Sequence, residues 1–254
     1  MDLTGKRVVL TGAASGIGRA LLEALSRMPL EVVAADVNET RLLEVCAGLR
    51  DVRARVIPVT ADVSSAAGND ALISAAVRAM KGVDVYIANA GFAVYEHALM
   101  PDWARFEGLF RVNTLAPIHA LQQMTALNAG RAFKVVWVAS AMAHMGLPRY
   151  AAYSASKGAL HRYADAHRYS MPDPNALMLV YPIATRTRFF EGSSAATPVP
   201  KPNQSAEEVT RAILRGIATD AREVYPSLLF RVTLWVSLWF PGLRRFVQLR
   251  ELRD

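Results

Sequence analysis

The stretch Thr11-Gly-Ala-Ala-Ser-Gly-Ile-Gly18 decides the fold, because it joins a short apolar run to a helix-forming segment that begins at Arg19. Glycines at 12, 16 and 18 permit a tight turn and let a ligand approach the backbone closely. A helix that starts here directs free N–H groups and the positive end of its dipole at the turn, which suits a pyrophosphate. An ordinary strand-to-helix turn is the alternative interpretation, since the spacing is not G-x-G-x-x-G. The candidate cofactor-binding residues of the turn are Gly12, Ser15, Gly16, Ile17 and Gly18.

Six β-rich runs alternate with stretches that are long enough for a crossover helix. Most of the runs are nearly continuous in apolar residues, which is typical of strands covered on both faces. This alternation predicts an α/β fold, a single-domain doubly wound parallel sheet with helices on both faces. The predicted strands are residues 7–11, 31–36, 55–60, 83–88, 134–139 and 176–181.

Composition excludes several classes of protein. With 254 residues, 52% hydrophobic and 20% charged, the chain can bury a full core and is not intrinsically disordered. One cysteine, Cys46, excludes a disulfide framework, and no apolar leader precedes Lys6, so we expect a cytoplasmic protein. The net charge is +7, but the basic residues are not interleaved with aromatic ones as they are in nucleic-acid-binding grooves. No nucleic-acid partner is therefore expected. No metal site is expected either.

Two carboxylates follow predicted strands at the edge where such sheets bind ligands. Asp36 ends the second strand, 18 residues after Gly18, and could accept hydrogen bonds from both ribose hydroxyls of an adenosine. It would repel a 2′-phosphate, so NAD is favoured over NADP. Asp62 ends the third strand and could bind the adenine amino group. Each carboxylate could instead cap the helix that follows it.

Tyr153 and Lys157 lie four residues apart in a helical pattern that runs from about 150 to 169. This spacing places both on one face of the helix. A neighbouring ammonium is expected to lower the pKa of the phenol, which would let it exchange a proton with an alcohol or ketone oxygen. Ser140 ends the fifth strand and could hydrogen-bond the same oxygen. A capping serine is the alternative for Ser140.

These features together resemble the short-chain dehydrogenase/reductase family over about residues 5 to 190. The resemblance implies a Rossmann fold, and Tyr153 as general acid/base. Lys157 would bind the nicotinamide ribose, Ser140 would polarise the carbonyl, and Asn113 would hold a water that relays protons through Lys157. Thr187 would contact the carboxamide or the pyrophosphate. The matching motifs are the glycine turn, Asp62-Val63, Asn89-Ala90-Gly91, Asn113, Ser140, Tyr153 with Lys157, and Pro182 with Thr187.

The family pattern also predicts cofactor contacts from the segment after the sixth strand, where one residue departs from the pattern. Ile183 stands where the family usually has glycine, which bears on the backbone path near the nicotinamide. The predicted cofactor-binding residues here are Pro182, Ile183, Thr185 and Thr187. Because the family is often oligomeric, a homodimer or homotetramer is expected.

The substrate side is predicted to be apolar. Two segments, the loop after Ser140 and the stretch at about 185–205, supply the candidate lining residues, which indicate a lipid- or steroid-like alcohol, ketone or aldehyde. Packing of these side chains against the domain is the alternative, and a fold retained as a scaffold with little turnover is the competing function. His144 is read as a loop histidine. The candidates are Met142, Met145, Leu147, Tyr150, Phe189 and Phe190.

Residues 223–254 form an apolar and basic segment after a catalytic domain that spans 1–222. Between Arg231 and Arg244 the apolar run is too short to span a bilayer. On a helical projection Leu229, Val232 and Val236 share one side, and Pro241 is expected to break the helix. The pattern of residues 224–247, within this segment, predicts that they form a lid, a subunit interface or a peripheral contact with a membrane surface.

Overall fold

A computed structural model describes residues 1–95, 102–185 and 203–240, together with 242, 245, 246 and 248. Strands and helices alternate along these residues and form one sheet covered on both faces. The strands are β1 Arg7–Thr11, β2 Glu31–Asp36, β3 Arg55–Thr60, β4 Val85–Ala88, β5 Lys134–Val138, β6 Leu177–Val180 and β7 Glu223–Val224. The helices are α1 Gly16–Ser26, α2 Glu39–Ala47, α3 Ala66–Met80, α4 Trp103–Phe110, α5 Ala116–Leu127, α6 Ala151–His167, α7 Ala206–Ala218 and α8 Leu228–Trp239.

The seven strands are all parallel and lie in the order β3-β2-β1-β4-β5-β6-β7. The predicted doubly wound sheet is therefore confirmed. The order reverses between β1 and β4, and the carboxyl ends of these two strands open the crevice where such folds bind ligands. Of the six predicted strands, three have the predicted bounds and three are shorter. The short β7 was missed and lies within the segment assigned to the C-terminus.

Alternate residues of each strand pack on opposite helical layers, as the period of two requires. Val8 and Leu10 contact the layer built by α1, α2 and α7. Val9 and Trp137 contact the layer built by α3, α5 and α6. Burial on both sides explains why the strands are apolar throughout, and it holds their carboxyl ends in one line.

The C-terminal helix ends at Trp239, two residues before Pro241, which lies outside the described residues. A proline in the helix interior would remove a hydrogen bond and clash with the preceding turn, so this end agrees with the sequence. Within the described part of the chain, none of the helices combines the length and the apolarity needed to cross a bilayer.

Candidate active site

A cavity of about 680 Å³ runs along the carboxyl edge of the sheet. Its volume lies within the range of ligand-binding pockets. The glycine turn and Asp36 form one end, Tyr153 and Lys157 line the middle, and α8 covers the other end. Most of the predicted cofactor-binding and catalytic side chains thus meet in one space, although they come from distant parts of the sequence.

The glycine turn is packed too closely to accept side chains. Gly12 has a φ of +69°, and a Cβ there would lie 2.9 Å from Asn89 Nδ2. A Cβ on Gly18 would lie only 1.9 Å from the carbonyl oxygen of Gly12. Gly12, Ser15, Gly16 and Ile17 line the cavity, whereas Gly18 does not. Gly18 was predicted to bind cofactor, but it supports the turn from beneath, where only a hydrogen fits.

The loop after β4 holds this turn against the sheet. Asn89 donates from Nδ2 to the carbonyl of Thr11 at 3.0 Å, and the amides of Asn89 and Ala90 donate to Thr11 Oγ1 at 3.1 and 3.0 Å. Asn89, Ala90 and Gly91 also line the cavity. The resemblance implies that these three residues support the central strand and line the adenosine side, and the hydrogen bonds with Thr11 agree with the supporting role.

Asp36 points into the mouth of the glycine turn. Its Oδ2 accepts from the amide of Ala14 at 2.9 Å and its Oδ1 from the amide of Asn38 at 3.0 Å. Asn38, not Asp36, caps α2 through its side chain. Each carboxylate oxygen keeps a lone pair that a ribose hydroxyl could use. The capping alternative for Asp36 is thereby removed.

The third strand contributes Asp62 and Val63, which both line the cavity. Asp62 Oδ1 accepts from the amide of Ser64 at 2.8 Å, and Ser65 caps α3. Several lining residues at this end were missed, and one of them, Arg41 of α2, is charged. It stands five positions after Asp36, and the helical rise of α2 brings it back to the cavity mouth. A guanidinium beside Asp36 was not considered in the preference for NAD.

The catalytic side chains converge as predicted. α6 places Tyr153 and Lys157 on its buried face, and both line the cavity. Ser140 follows β5, and its hydroxyl is hydrogen-bonded to the phenol of Tyr153. Ser140 Oγ also accepts from the amide of Met142 at 3.1 Å and caps the 3₁₀ turn Ala141–Ala143. Capping by Ser140 is therefore compatible with its hydrogen bond to the phenol.

The expected lowering of the phenol pKa is wrong for this structure. Burial raises the pKa of Tyr153 to about 12, although the hydrogen bond from Ser140 opposes this effect. Burial also lowers the pKa of Lys157 to about 8. The Lys157 ammonium donates to the carbonyl oxygen of Val138 at 2.9 Å. Burial penalises the charged form of each group, and this effect sets the direction of both shifts.

Asn113 is wholly buried and does not line the cavity. Its Nδ2 donates to the carbonyl of Phe92 at 2.9 Å and to Ser156 Oγ at 3.2 Å, and its Oδ1 accepts from the amide of Phe92 at 3.1 Å. It lies in a π-helical turn, Arg111–Leu115, an irregularity that is frequent at functional sites. These bonds make Asn113 a brace for the loop beneath Lys157, and its predicted water relay stays a prediction.

The segment after β6 borders the cavity beside the catalytic group. Pro182, Ile183 and Thr185 all line it. The carbonyl of Pro182 accepts from the amide of Ala141 at 2.8 Å, and Thr185 Oγ1 donates to the carbonyl of Ile183 at 3.0 Å. Ile183 therefore fits in this segment and forms part of the cavity wall. Thr187 lies outside the described residues.

The predicted substrate side is partly seen. Met142, Met145 and Leu147 line the cavity. Tyr150 does not: it is buried in a cluster with Leu109 and packs edge-on against Tyr95 at 5.3 Å. The prediction for Tyr150 is therefore wrong, because this residue precedes the first turn of α6 and its side chain packs in the cluster. Phe189 and Phe190 lie outside the described residues.

The far end of the cavity was not assigned from the sequence. Leu229, Phe230 and Thr233 of α8 line it, together with Phe92 and Val112. Helical spacing could have paired the three α8 positions on one side, but nothing in the sequence places that side over the catalytic group. His144 does not line the cavity; its ring lies tilted against that of Tyr181, with the centroids 4.4 Å apart, which agrees with its interpretation as a loop residue.

Known proteins resemble this chain along most of its length. Estradiol 17-beta-dehydrogenase 11 from Homo sapiens is 29% identical over 92% of this chain and 79% of the relative. Ketoacyl reductase HetN from Nostoc sp. is 26% identical over 87% of this chain and 78% of the relative. A short-chain dehydrogenase/reductase from Burkholderia phymatum in complex with NAD superposes with a TM-score of 0.84, covering 96% of both chains at 24% identity.

A second solved structure, a short-chain dehydrogenase from Sphingobium yanoikuyae in complex with NADPH, has a TM-score of 0.78 and covers 94% of both chains at 23% identity. At these identities the structures show the fold alone. The family model described as short chain dehydrogenase matches residues 6–197, about three-quarters of the chain. With the glycine turn and the Ser140, Tyr153 and Lys157 group in one cavity, the chain belongs to the short-chain dehydrogenase/reductase family of oxidoreductases.

Proposed function

We propose that this protein is an NAD-preferring dehydrogenase/reductase that interconverts a hydrophobic alcohol and its ketone or aldehyde. One observation carries the proposal: a single cavity has a phosphate-binding turn and a ribose-binding carboxylate at one end and the Ser140, Tyr153 and Lys157 group in its middle. Relatives named for a ketoacyl group and for estradiol support an apolar substrate.

The residues present fit a nicotinamide dinucleotide. Gly12 and Gly16 line the cavity with backbone at φ of +69° and +52°, and the absence of side chains there lets a pyrophosphate approach closely. Asp36 is held at the adenosine end and favours ribose hydroxyls over a 2′-phosphate. Arg41 lies nearby and would attract a 2′-phosphate, so the preference for NAD is a balance between these two charges. When bound, the nicotinamide would accept or supply the hydride.

The chain's own groups handle the proton. With a pKa of about 12, Tyr153 carries its proton at neutral pH and can donate it to a carbonyl oxygen during reduction. The Ser140 hydroxyl can donate a hydrogen bond to the same oxygen, which stabilises the negative charge that develops there. Lys157, protonated below about pH 8, lies one helical turn from Tyr153 on the buried face of α6, and its positive charge would favour the phenolate that remains.

Apolar side chains surround this polar group. Met142, Met145 and Leu147 come from the loop after Ser140, and Phe92 and Phe230 lie opposite. A hydrophobic substrate would displace water from these surfaces and leave its oxygen at the hydroxyls of Ser140 and Tyr153. The homo-oligomer and the cytoplasmic location stay predictions.

The test compares Tyr153→Phe with Tyr163→Phe, a matched control on the same helix whose ring packs against Trp137 outside the cavity. We expect oxidation of NADH with a panel of ketones to fall by roughly 10²-fold or more in Tyr153→Phe and to remain in the control. Equal rates in the two variants would refute the mechanism. Cofactor binding without turnover by the unaltered protein would instead favour the scaffold hypothesis.

A further inference from the structure

The helix α8 directs two hydroxyl side chains toward the protein and most of its large apolar side chains toward solvent, the reverse of an ordinary surface helix. Its buried residue is Ser237, and its half-buried Thr233 lines the cavity. Both hydroxyls are satisfied within the helix, by the carbonyl of Leu234 at 2.7 Å and that of Leu229 at 2.9 Å. The polar positions therefore face the body of the protein, whereas a surface helix normally buries its apolar stripe.

The outward half of α8 is almost entirely apolar. Trp235 is 64% exposed and Trp239 is 71% exposed. Arg231 is the one charged residue of the helix. The exposed apolar side chains of this region that do not line the cavity, which we call the α8 outer face, are Leu228, Val232, Trp235, Leu238, Trp239 and Phe240. A group of exposed apolar side chains on one helix marks a site of contact with a partner or a membrane.

Length excludes a spanning role for this helix. Its 12 residues extend about 18 Å, whereas the hydrocarbon core of a bilayer is about 30 Å thick. A helix of this length with two tryptophans on one face can lie in the plane of the interface, with its apolar side at the acyl boundary.

The charge of this region favours a lipid surface over a second copy of the chain as its partner. Residues 225–250 contain four arginines, at 231, 244, 245 and 250, and no Asp or Glu, although Glu223 precedes this stretch and Glu251 and Asp254 follow it. Pairing of two copies through α8 would place Arg231 of each copy in the interface, and α8 has no acidic side chain to offset their repulsion. An anionic headgroup layer supplies a counter-charge, and each cation near it contributes attraction.

We propose that the α8 outer face binds the surface of an anionic lipid bilayer. Because Leu229, Phe230 and Thr233 of the same helix line the catalytic cavity, that end of the cavity then lies next to the lipid. Gln248, which follows the helix, donates to the carbonyl of Gly146 at 2.8 Å and ties this region to the loop after Ser140. Resting on the proposed function, this placement assigns a substrate dissolved in lipid.

The experiment is flotation of the full-length protein with vesicles of phosphatidylcholine alone or mixed with phosphatidylserine, without cofactor or substrate. The variants are the double substitution Trp235→Gln with Trp239→Gln, and Arg231→Gln. The matched control is Trp103→Gln, since Trp103 is 78% exposed on α4, away from the cavity. None of the substituted residues lines the cavity, so NADH-dependent activity on a water-soluble ketone tests the proposed function separately.

We expect binding to the anionic vesicles, lowered roughly tenfold or more by the double tryptophan variant and unchanged by the control. Arg231→Gln should lower binding by roughly fivefold on anionic vesicles only. No flotation of the unaltered protein, or equal loss in the control, would overturn the proposal. The proposal would also be overturned if light scattering showed self-association that the double tryptophan variant abolishes and the unaltered protein did not bind vesicles. Failure of the ketone assay with intact flotation would count against the proposed function alone.

Discussion

Replacing Lys157 with methionine separates what this side chain costs the fold from what it does in the site. Its ammonium is fully enclosed, with the carbonyl of Val138 as a hydrogen-bond acceptor at 2.9 Å. Burial lowers its pKa from 10.5 to about 8, so the folded protein holds this proton less tightly than the unfolded chain does. Methionine has a similar length and no charge, and it should therefore stabilise the protein at neutral pH.

The magnitude follows from linkage between folding and protonation. Each tenfold change in proton affinity corresponds to about 1.4 kcal/mol, so the charge destabilises the fold by about 3 kcal/mol at pH 7. Between pH 8 and 10.5 the unfolded chain binds more protons, so the wild-type protein gains stability as pH rises through this window. Near pH 9.5 the cost has fallen to about 1 kcal/mol. Loss of the bond to Val138 offsets part of the gain by about 1 to 3 kcal/mol, equally at each pH.

The assay is urea unfolding of Lys157→Met and the unaltered protein at pH 7 and pH 9.5, followed by circular dichroism. We expect the difference in unfolding free energy to shift by about 2 kcal/mol toward the unaltered protein as pH rises. Turnover by the variant should be lost at both pH values, since the phenolate of Tyr153 would have no neighbouring cation. A difference that stays constant with pH, with equal denaturant slopes, would refute the idea that burial of this charge perturbs it.

Further predictions concern the turn, cofactor choice and the ion pair between the buried Lys134 and the half-exposed Asp220. Gly18→Ala should lower stability by at least about 2 kcal/mol and weaken binding of NADH, because its Cβ would meet the carbonyl of Gly12; urea unfolding and fluorescence titration check this. Asp36→Asn should raise the ratio of kcat/KM for NADPH over NADH by roughly tenfold, since it removes a like-charge repulsion; an unchanged ratio would contradict the assigned role. Asp220→Asn should cost about 2 kcal/mol at pH 7, because the buried ammonium of Lys134 loses its charge partner. Since Lys134 holds the pKa of Asp220 below its usual range, the difference from wild type should vanish as pH falls through the acid range, and a persistent difference there would count against the pairing.

The features that the sequence predicts correctly are those carried by local pattern. Apolar runs bounded by helix signals placed β1, β2 and β3 at their observed bounds. β1 and β2 are buried on both faces and are therefore apolar almost throughout, whereas β3 is partly exposed along its whole length. The four-residue spacing of Tyr153 and Lys157 predicted a shared helix face, since helical geometry is set by the backbone. β7 was missed because two residues are too few to show a period.

Other properties depend on which elements the fold brings together. The pKa values of Tyr153 and Lys157 are set by burial and not by the spacing of the two residues, since burial raises the pKa of a phenol and lowers that of an amine. Only the packed sheet could place Arg41 beside the adenosine end and Phe230 over the catalytic group, because these contacts join residues from separate helices.

The sequence by itself determined the order of strands and helices, the glycine turn and the chemical groups of the site, because each is specified by residue type and spacing within one element. Tertiary structure alone decided that Asn113 braces a loop, that Tyr150 packs away from the cavity, and which half of α8 faces outward. Burial and solvent exposure are properties of surfaces that form only when distant segments pack together, and no local pattern contains them.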